Sequence, residues 1–361
     1  MNKPNKEVII GIMSGTSLDG VDLAACHFET VGEQIKYNII AAETIEYSKQ
    51  WKNDLINAHL LGGSKLIELN SKLGNYLGEI TNSFIIKNGL IATLISSHGH
   101  TILHQPEKGF TYQIGSGACI AAITGIDTIC DFRSTDIALG GQGAPLVPIG
   151  DKLLFSNYEA CLNLGGIANI SYSQNNKRIA FDICPVNMAL NFYANKLKLD
   201  YDNKGEIAAS GEINYALLSM LNKIKFYELQ GPKSLGKEWF EKSFLPVVTE
   251  YEKENNTKIA NILCTLVEHI AIQHSNIFSN ANINGPVLVT GGGALNEFLI
   301  SRIKSNSIKE FFIPERTVIN YKEALIFALL GWLNTRNEIN TLSSATGAKK
   351  DSIGGAFYKG N

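Results

Sequence analysis

Apolar positions along the chain fall into short β-branched runs that end at glycine and longer segments with helical spacing. The run EVIIGIM (7–13) predicts a strand that ends in the turn-rich MSGTSLDGVD, and DLAACHFE (22–29) follows at once as a second strand. Residues 48–61 and 64–88 carry helical apolar spacing, and LIATLISS (90–97) predicts a buried strand that delivers a loop, HGHTILHQP. A helix over 119–124 and a strand over 127–130 close the first half. The segment RSTDIALGGQGAPLVP (133–148) places glycines and prolines where regular structure fails. The boundary is therefore expected there, between a lobe of residues 1–140 and one of residues 141–361, with room for the C-terminal segment to pack back on the first lobe.

The second half repeats the opening. EACLNLGGIANIS (159–171) predicts strand, double glycine, strand, and KRIAFDICPVN (177–187) predicts a strand with an acid at its end. Helices are expected at about 211–224, 236–245 and 258–278. PVLVTGGGALNEFLISRI (286–303) reads as strand, three glycines and an amphipathic helix, and KEALIFALLGWLN (322–334) as the last helix. Two α/β halves with glycine turns at their strand ends predict a duplicated, two-lobed fold with its ligand in the cleft.

Composition narrows the class. With 361 residues, 45% apolar and 18% charged, the chain can bury large cores, which excludes a collagen, a coiled coil or a disordered tail as its main architecture. A formal charge of −2 leaves no broad basic field for nucleic acid or a membrane surface, so neither is expected as a partner and any anion must be bound locally. Cys26, Cys119, Cys130, Cys161, Cys184 and Cys264 lie far apart without a C-x-x-C pair, which predicts reduced thiols. His98, His100 and His104 have a spacing that invites zinc, but no nearby carboxylate or cysteine completes a set. No apolar run has the ~18 residues of a spanning helix, so a soluble, cytoplasmic protein is expected.

Candidate chemistry concentrates at three glycine turns: Gly15 to Asp22, Gly165-Gly166, and Gly291 to Gly293. Each is open to two readings, an ordinary tight turn or a backbone cradle for phosphate where no Cβ blocks the approach. Two familiar nucleotide fingerprints do not fit. The first turn lacks G-x-G-x-x-G, and GPKSLGKE (231–238) offers Glu238 where a P-loop needs a magnesium-binding hydroxyl. Asp182 is a candidate base or metal ligand, or else the cap of a helix over 186–197. Arg133 suits forked recognition of a carboxylate or phosphate, or a salt bridge to Asp131 or Asp136. Glu323 is placed in the first turn of the last helix, as a surface acid or as a cleft residue.

Taken in order, GTSLDGVD, SHGHTILHQP, DFRSTDIALGGQGAPLVP, NLGGIANIS, FD-x-x-P-x-N, GPKSLGKEWF, VLVTGGGALN, EALIFALL and the terminal TGA resemble the anhydro-N-acetylmuramic acid kinases over about residues 8–358. The resemblance implies an actin/hexokinase-like α/β fold of two ribonuclease-H-like lobes with the active site in the interlobe cleft. It implies ATP and Mg²⁺ as cofactors and a small amino sugar as substrate, which is opened at its 1,6-anhydro bridge and phosphorylated on O6 in cell-wall recycling. By the same resemblance Asp182 is the catalytic base. Gly15, Thr16, Ser17, Leu18, Asp19, Gly20, Val21 and Asp22, with Gly165 and Gly166, hold phosphates; Gly291, Gly292 and Gly293 border adenosine; His98, Arg133 and Glu323 line the sugar site; and Asp19 is the candidate Mg²⁺ ligand. His100 stands where the family usually has Gln, and Cys184 and Val186 replace two family glycines. A same-fold kinase for an ordinary hydroxyl and an actin-like nucleotide switch are the alternatives; against the switch, no peptide-binding segment is expected after the core. A homodimer is left open.

Overall fold

Alternating apolar residues build two mixed sheets. The first contains β1 (Ile9–Ser14), β2 (Gly20–Val31), β3 (Gln34–Glu46), β4 (Leu94–Gln105), β5 (Phe110–Ile114), β6 (Thr128–Cys130) and β12 (Ala356–Tyr358). The second contains β7 (Ala160–Leu164), β8 (Ile167–Gln174), β9 (Lys177–Pro185), β10 (Val287–Thr290) and β11 (Phe311–Phe312). This computed structural model describes residues 7–15, 18–229, 231–307 and 310–361. It divides into one unit of Met1–Leu154 with Tyr321–Asn361 and another of Phe155–Asn320.

One strand order recurs in both units. The first sheet runs β3-β2-β1-β4-β6-β12, with β5 paired to β4, and the second runs β9-β8-β7-β10-β11. In each, the first three strands form an antiparallel meander and the next two lie parallel to the first, so β1 corresponds to β7, β4 to β10 and β6 to β11. This is the duplicated ribonuclease-H-like α/β fold expected above. The turn between β1 and β2 and the Gly165-Gly166 turn between β7 and β8 therefore occupy the same place in their units.

Each sheet buries an apolar face against helices. In the first unit Ile10, Ile12, Leu23 and Ile95 pack with Leu69, Leu73, Leu77 and Phe84 of the helix Gly63–Lys87. In the second, Leu162, Ile170, Ile183 and Val289 pack with Leu263, Leu266, Val267 and Ile270 of the helix Ile259–Asn280. Gly11 admits the last helix to the first sheet, since a Cβ there would lie 1.9 Å from the Ala324 carbonyl oxygen. The Ser96 hydroxyl donates to the Phe327 carbonyl of the same helix.

Four segments differ from the sequence expectations. β3 was not anticipated, although Ile35, Tyr37 and Ile39 alternate with more exposed neighbours. The expected loop over the three histidines is instead the second half of β4, because Phe110–Ile114 pairs with it antiparallel. Residues 133–148 include the helix Ser134–Ala138 and the start of Val147–Leu154, and the units divide after Leu154. The last helix is preceded by a helical stretch from Arg316 that breaks at Tyr321, so Glu323 lies in the first turn after that break. Among the described residues no helix is long and apolar enough to cross a membrane.

Candidate active site

In the first unit, β4 carries His98 and the helix Ser134–Ala138 begins beside Arg133. The His98 Nδ1 lies 2.9 Å from the Gly99 carbonyl, and its Nε2 is approached by Arg133 Nε at 3.1 Å and Nη2 at 2.9 Å. A guanidinium can only donate, so Nε2 accepts and the proton of His98 sits on Nδ1, donated to Gly99. Burial and the adjacent guanidinium hold the His98 pKa well below its usual value, which keeps the ring a neutral acceptor. Arg133 Nη1 donates to the Gly143 carbonyl. Of the five guanidinium N–H groups, one each on Nη1 and Nη2 remains, two donors suited to a carboxylate.

The two salt bridges considered for Arg133 do not form. Asp131 accepts from the Ser134 hydroxyl at 2.6 Å, and the buried Asp136 accepts from the Gly143 N–H at 2.7 Å and the Thr346 hydroxyl at 2.6 Å. Asp136 thus ties the loop that supports Arg133 to the TGA segment. Burial lowers the Arg133 pKa to about 10, while the negative charges of Glu323 and Asp136 oppose that fall. The three histidines do not share a site: His100 Nδ1 lies 2.7 Å from the Ser14 hydroxyl and His104 Nδ1 lies 3.1 Å from the Thr111 hydroxyl.

Asp19, Asp22 and Glu323 gather acidic charge near the start of β2. Surrounding protein raises the Glu323 carboxyl above its ordinary range, and the charges of Asp22 and Asp19 raise it further. Burial likewise raises Asp22, whose carboxylate accepts from the Thr44 hydroxyl at 2.6 Å. Next to Glu323, Lys322 forms a buried 2.7 Å ion pair with Asp151, which anchors the helix at that point. Among the described residues no three His, Cys, Asp or Glu side chains form a closed metal-binding set. Asp19 Oδ1 accepts the Gly20 N–H at 3.0 Å, and an aspartate carboxylate is a hard oxygen ligand of the kind Mg²⁺ takes. Leu18 adopts a left-handed φ of 59° and donates its N–H to the Gly15 carbonyl. Gly20 and Val21 open β2, whereas Thr16 and Ser17 lie outside the described residues.

In the second unit, β9 continues past Asp182 to Pro185, so the acid lies within the strand rather than at its end. The capping role considered for it is excluded, because the helix Asn187–Lys196 follows Val186 as its cap residue without a side-chain capping bond. Asp182 instead docks residues 233–235: its N–H donates to the Lys233 carbonyl at 2.9 Å, and its Oδ2 accepts the Leu235 N–H at 2.8 Å. Burial raises its pKa, and the Leu235 N–H opposes that rise. A half-buried carboxylate with a raised proton affinity is a suitable general base.

The glycine turns of this unit meet at Asn187. The Gly166 carbonyl accepts from the N–H groups of Val186 at 2.9 Å and Met188 at 3.1 Å, and the Gly165 carbonyl from Asn187 at 3.2 Å. Asn187 Nδ2 donates to the Leu164 carbonyl at 3.1 Å. Gly291, at φ 81°, has no room for a side chain, since a Cβ would lie 2.6 Å from Asn163 Oδ1, and one on Gly293 would lie 2.7 Å from the Leu164 Cβ. A Cβ on Gly292 would meet Asn187 Nδ2 at an ordinary 3.5 Å. Gly292 and Asn187 border a cavity of about 550 Å³ with Tyr201, Asn203, Lys204 and Arg316, a volume suited to a small molecule. Sequence reading did not assign Asn187 or these four to the site; the retained Asn of FD-x-x-P-x-N was the available signal for the first, and only chain folding identifies the others.

Repeated meander sheets with glycine turns between the first two strands of each give the actin- and hexokinase-like fold class. Residues 7–360 match the model of the anhydro-N-acetylmuramic acid kinase family, and the chain belongs to that family. A curated relative named anhydro-N-acetylmuramic acid kinase from Hydrogenovibrio crunogenus is 33% identical over 99% of this chain and 100% of its own length. Relatives of the same name from Shewanella sp. (strain MR-4) and Caldanaerobacter subterraneus are 35% and 32% identical, covering 98% and 96% of this chain and 99% and 96% of their own lengths. The chain is accordingly a kinase, an enzyme of the transferase class.

Proposed function

We propose that this chain uses ATP to open 1,6-anhydro-N-acetylmuramic acid and phosphorylate its O6, giving N-acetylmuramic acid 6-phosphate and ADP in cytoplasmic cell-wall recycling. The observation that carries this reading is the family match across residues 7–360.

The chemistry follows from the bond that must break. An anhydro sugar has no free 6-hydroxyl, so water attacks C1, the C1–O6 bond breaks, and O6 takes the γ-phosphoryl group as ADP departs. Asp182 accepts the proton from the attacking water. O6 needs no proton from a second carboxylic acid because phosphorus captures it, unlike ordinary glycoside hydrolysis with its two carboxylates.

Residues of the first unit hold the sugar. The remaining N–H pair of Arg133 receives the lactyl carboxylate, neutral His98 keeps the guanidinium in plane, and Glu323 accepts a hydroxyl or amide proton of the sugar. The turn from Gly15 to Asp22 and the Gly165-Gly166 turn hold phosphates, and Gly291 to Gly293 with the adjoining cavity hold adenosine. Asp19 would hold Mg²⁺, which when bound would neutralise charge on the phosphates, a major contribution in phosphoryl transfer.

Turnover in ¹⁸O-labelled water tests the ring-opening step. One label at C1 of each N-acetylmuramic acid 6-phosphate, with none in the phosphate, is the expected product. Unlabelled sugar would overturn hydrolytic opening.

A further inference from the structure

In GPKSLGKE the lysine at the phosphate-loop position is Lys237, which pairs with Glu241 at 3.6 Å; the earlier lysine, Lys233, is the one the protein holds. Lys233 turns back on its own chain: Nζ donates to the Phe226 and Leu229 carbonyls, each at 3.1 Å, and sits 4.4 Å from the centre of the Phe226 ring. A loop lysine ordinarily extends its ammonium into water. Here two carbonyls and a ring hold that ammonium, and the consequence is a fixed course for residues 233–235.

The support beneath Lys233 is itself anchored. Phe226 belongs to the short 3-10 turn Lys225–Glu228, and its ring lies 5.1 Å from that of Trp239. The neighbouring Tyr227 hydroxyl lies 3.0 Å from His269 Nε2, while His269 Nδ1 lies 2.6 Å from Asn222 Oδ1. Asn222 Oδ1 also accepts from Gln273 Nε2 at 2.9 Å. His269 therefore donates through Nδ1 and accepts the Tyr227 proton at Nε2, and the turn is fixed to the helix Ile259–Asn280. From this base Lys233 leads to two contacts on one residue: its carbonyl accepts the Asp182 N–H, and the Leu235 N–H binds Asp182 Oδ2.

We infer that Lys233 is a positioning residue for Asp182, holding the 233–235 loop so that the Leu235 N–H orients the carboxylate and Oδ1 is left to receive the water proton. The inference rests on the reading of Asp182 as the base. A hydrogen bond to the charged carboxylate favours its ionised form, so loss of the loop raises the Asp182 pKa and moves the acid limb of the kcat profile to higher pH. Facing Asp182 are Leu235 from the loop, which donates its N–H, and Asn169, its cross-strand partner on β8. The nearby titratable groups are Lys233 itself and the Cys184 thiol, which burial keeps protonated.

The kcat-pH profile, measured by ADP release at saturating sugar and ATP, tests this in three variants. Lys233→Met retains the apolar stem; its kcat should fall about tenfold, its sugar KM should stay within about twofold, and its acid limb should rise by about half to one pH unit. Leu235→Pro removes the N–H donor with Lys233 intact and should move the limb in the same direction. Lys233→Arg, which still reaches two carbonyls, should keep the limb in place. An unshifted limb in folded Lys233→Met or Leu235→Pro overturns the inference, and if the first does not fold, the second decides. Asp182→Asn separates the two ideas: near-normal turnover overturns the base reading, whereas a loss of at least about 10² with unshifted limbs in the loop variants overturns the role of Lys233 alone.

Discussion

Arg133 shows how one side chain can be both fixed and available. Three of its N–H groups are held by His98 Nε2 and the Gly143 carbonyl, and that grip orients the remaining two. Lysine has a single ammonium on a flexible stem and cannot reproduce a planar pair on such a frame. Arg133→Lys should therefore lower kcat/KM for anhydro-N-acetylmuramic acid by about 10- to 100-fold, the equivalent of about 1.5–3 kcal/mol for hydrogen bonds to a charged group. The corresponding anhydro sugar without the lactyl group should lose much less. An equal loss on both substrates would assign Arg133 to the fold of its loop rather than to carboxylate recognition.

At the scale of elements, the ends of β7 and β10 and the start of the helix Asn187–Lys196 form one junction. Adjacent glycines in it have different reasons to be glycine. Gly291 and Gly293 face backbone and side-chain atoms closer than any Cβ could tolerate, whereas Gly292 has ordinary space toward Asn187 and borders the cavity. A valine at Gly292 is thus compatible with the turn but projects toward the space assigned to adenosine. Gly292→Val should weaken ATP binding by at least about tenfold, or ~1.4 kcal/mol, with sugar affinity and thermal midpoint near those of the wild type. Calorimetric titration with ATP and with sugar checks both halves; unchanged ATP affinity would remove this turn from the nucleotide site.

Across the whole molecule, neutral histidines are buried in both units. Burial pushes His100 to about 4, His269 to about 3 and His274 to about 4, all below the usual histidine range. Each prefers to be neutral when folded, so its contribution to stability is present above the unfolded value of about 6.5 and is lost as pH falls toward the folded value. His274 isolates the effect, since Nδ1 lies 2.6 Å from the Ile270 carbonyl and Nε2 is buried without a hydrogen-bond partner among the described residues. His274→Met should lessen the loss of stability between pH 7 and pH 5 by about 2 kcal/mol, read from denaturant unfolding at the two pH values. Equal losses in the variant and the wild type would show that His274 takes up no proton on unfolding.

The sequence by itself determined the repeated α/β character of the chain, the positions of its glycine turns and the acids and cations suited to phosphoryl transfer. Each of these is local: β-branched runs favour strands, helical spacing favours a buried helix face, and glycine permits turns closed to other residues. Its order of motifs also identified the family. Tertiary structure decided what each polar group meets. Asp182 looked equally like a cap until β9 extended to Pro185 and residues 233–235 supplied its partners. Arg133 was equally open to an anion or to a neighbouring aspartate until β4 brought His98 to it from 35 positions away. Pairing with Phe110–Ile114 likewise extended β4 through residues whose polarity suggested a loop. Hydrogen-bond partners and burial come from residues remote in the chain, and no local pattern of hydrophobicity specifies which of several possible partners a folded backbone brings within 3 Å.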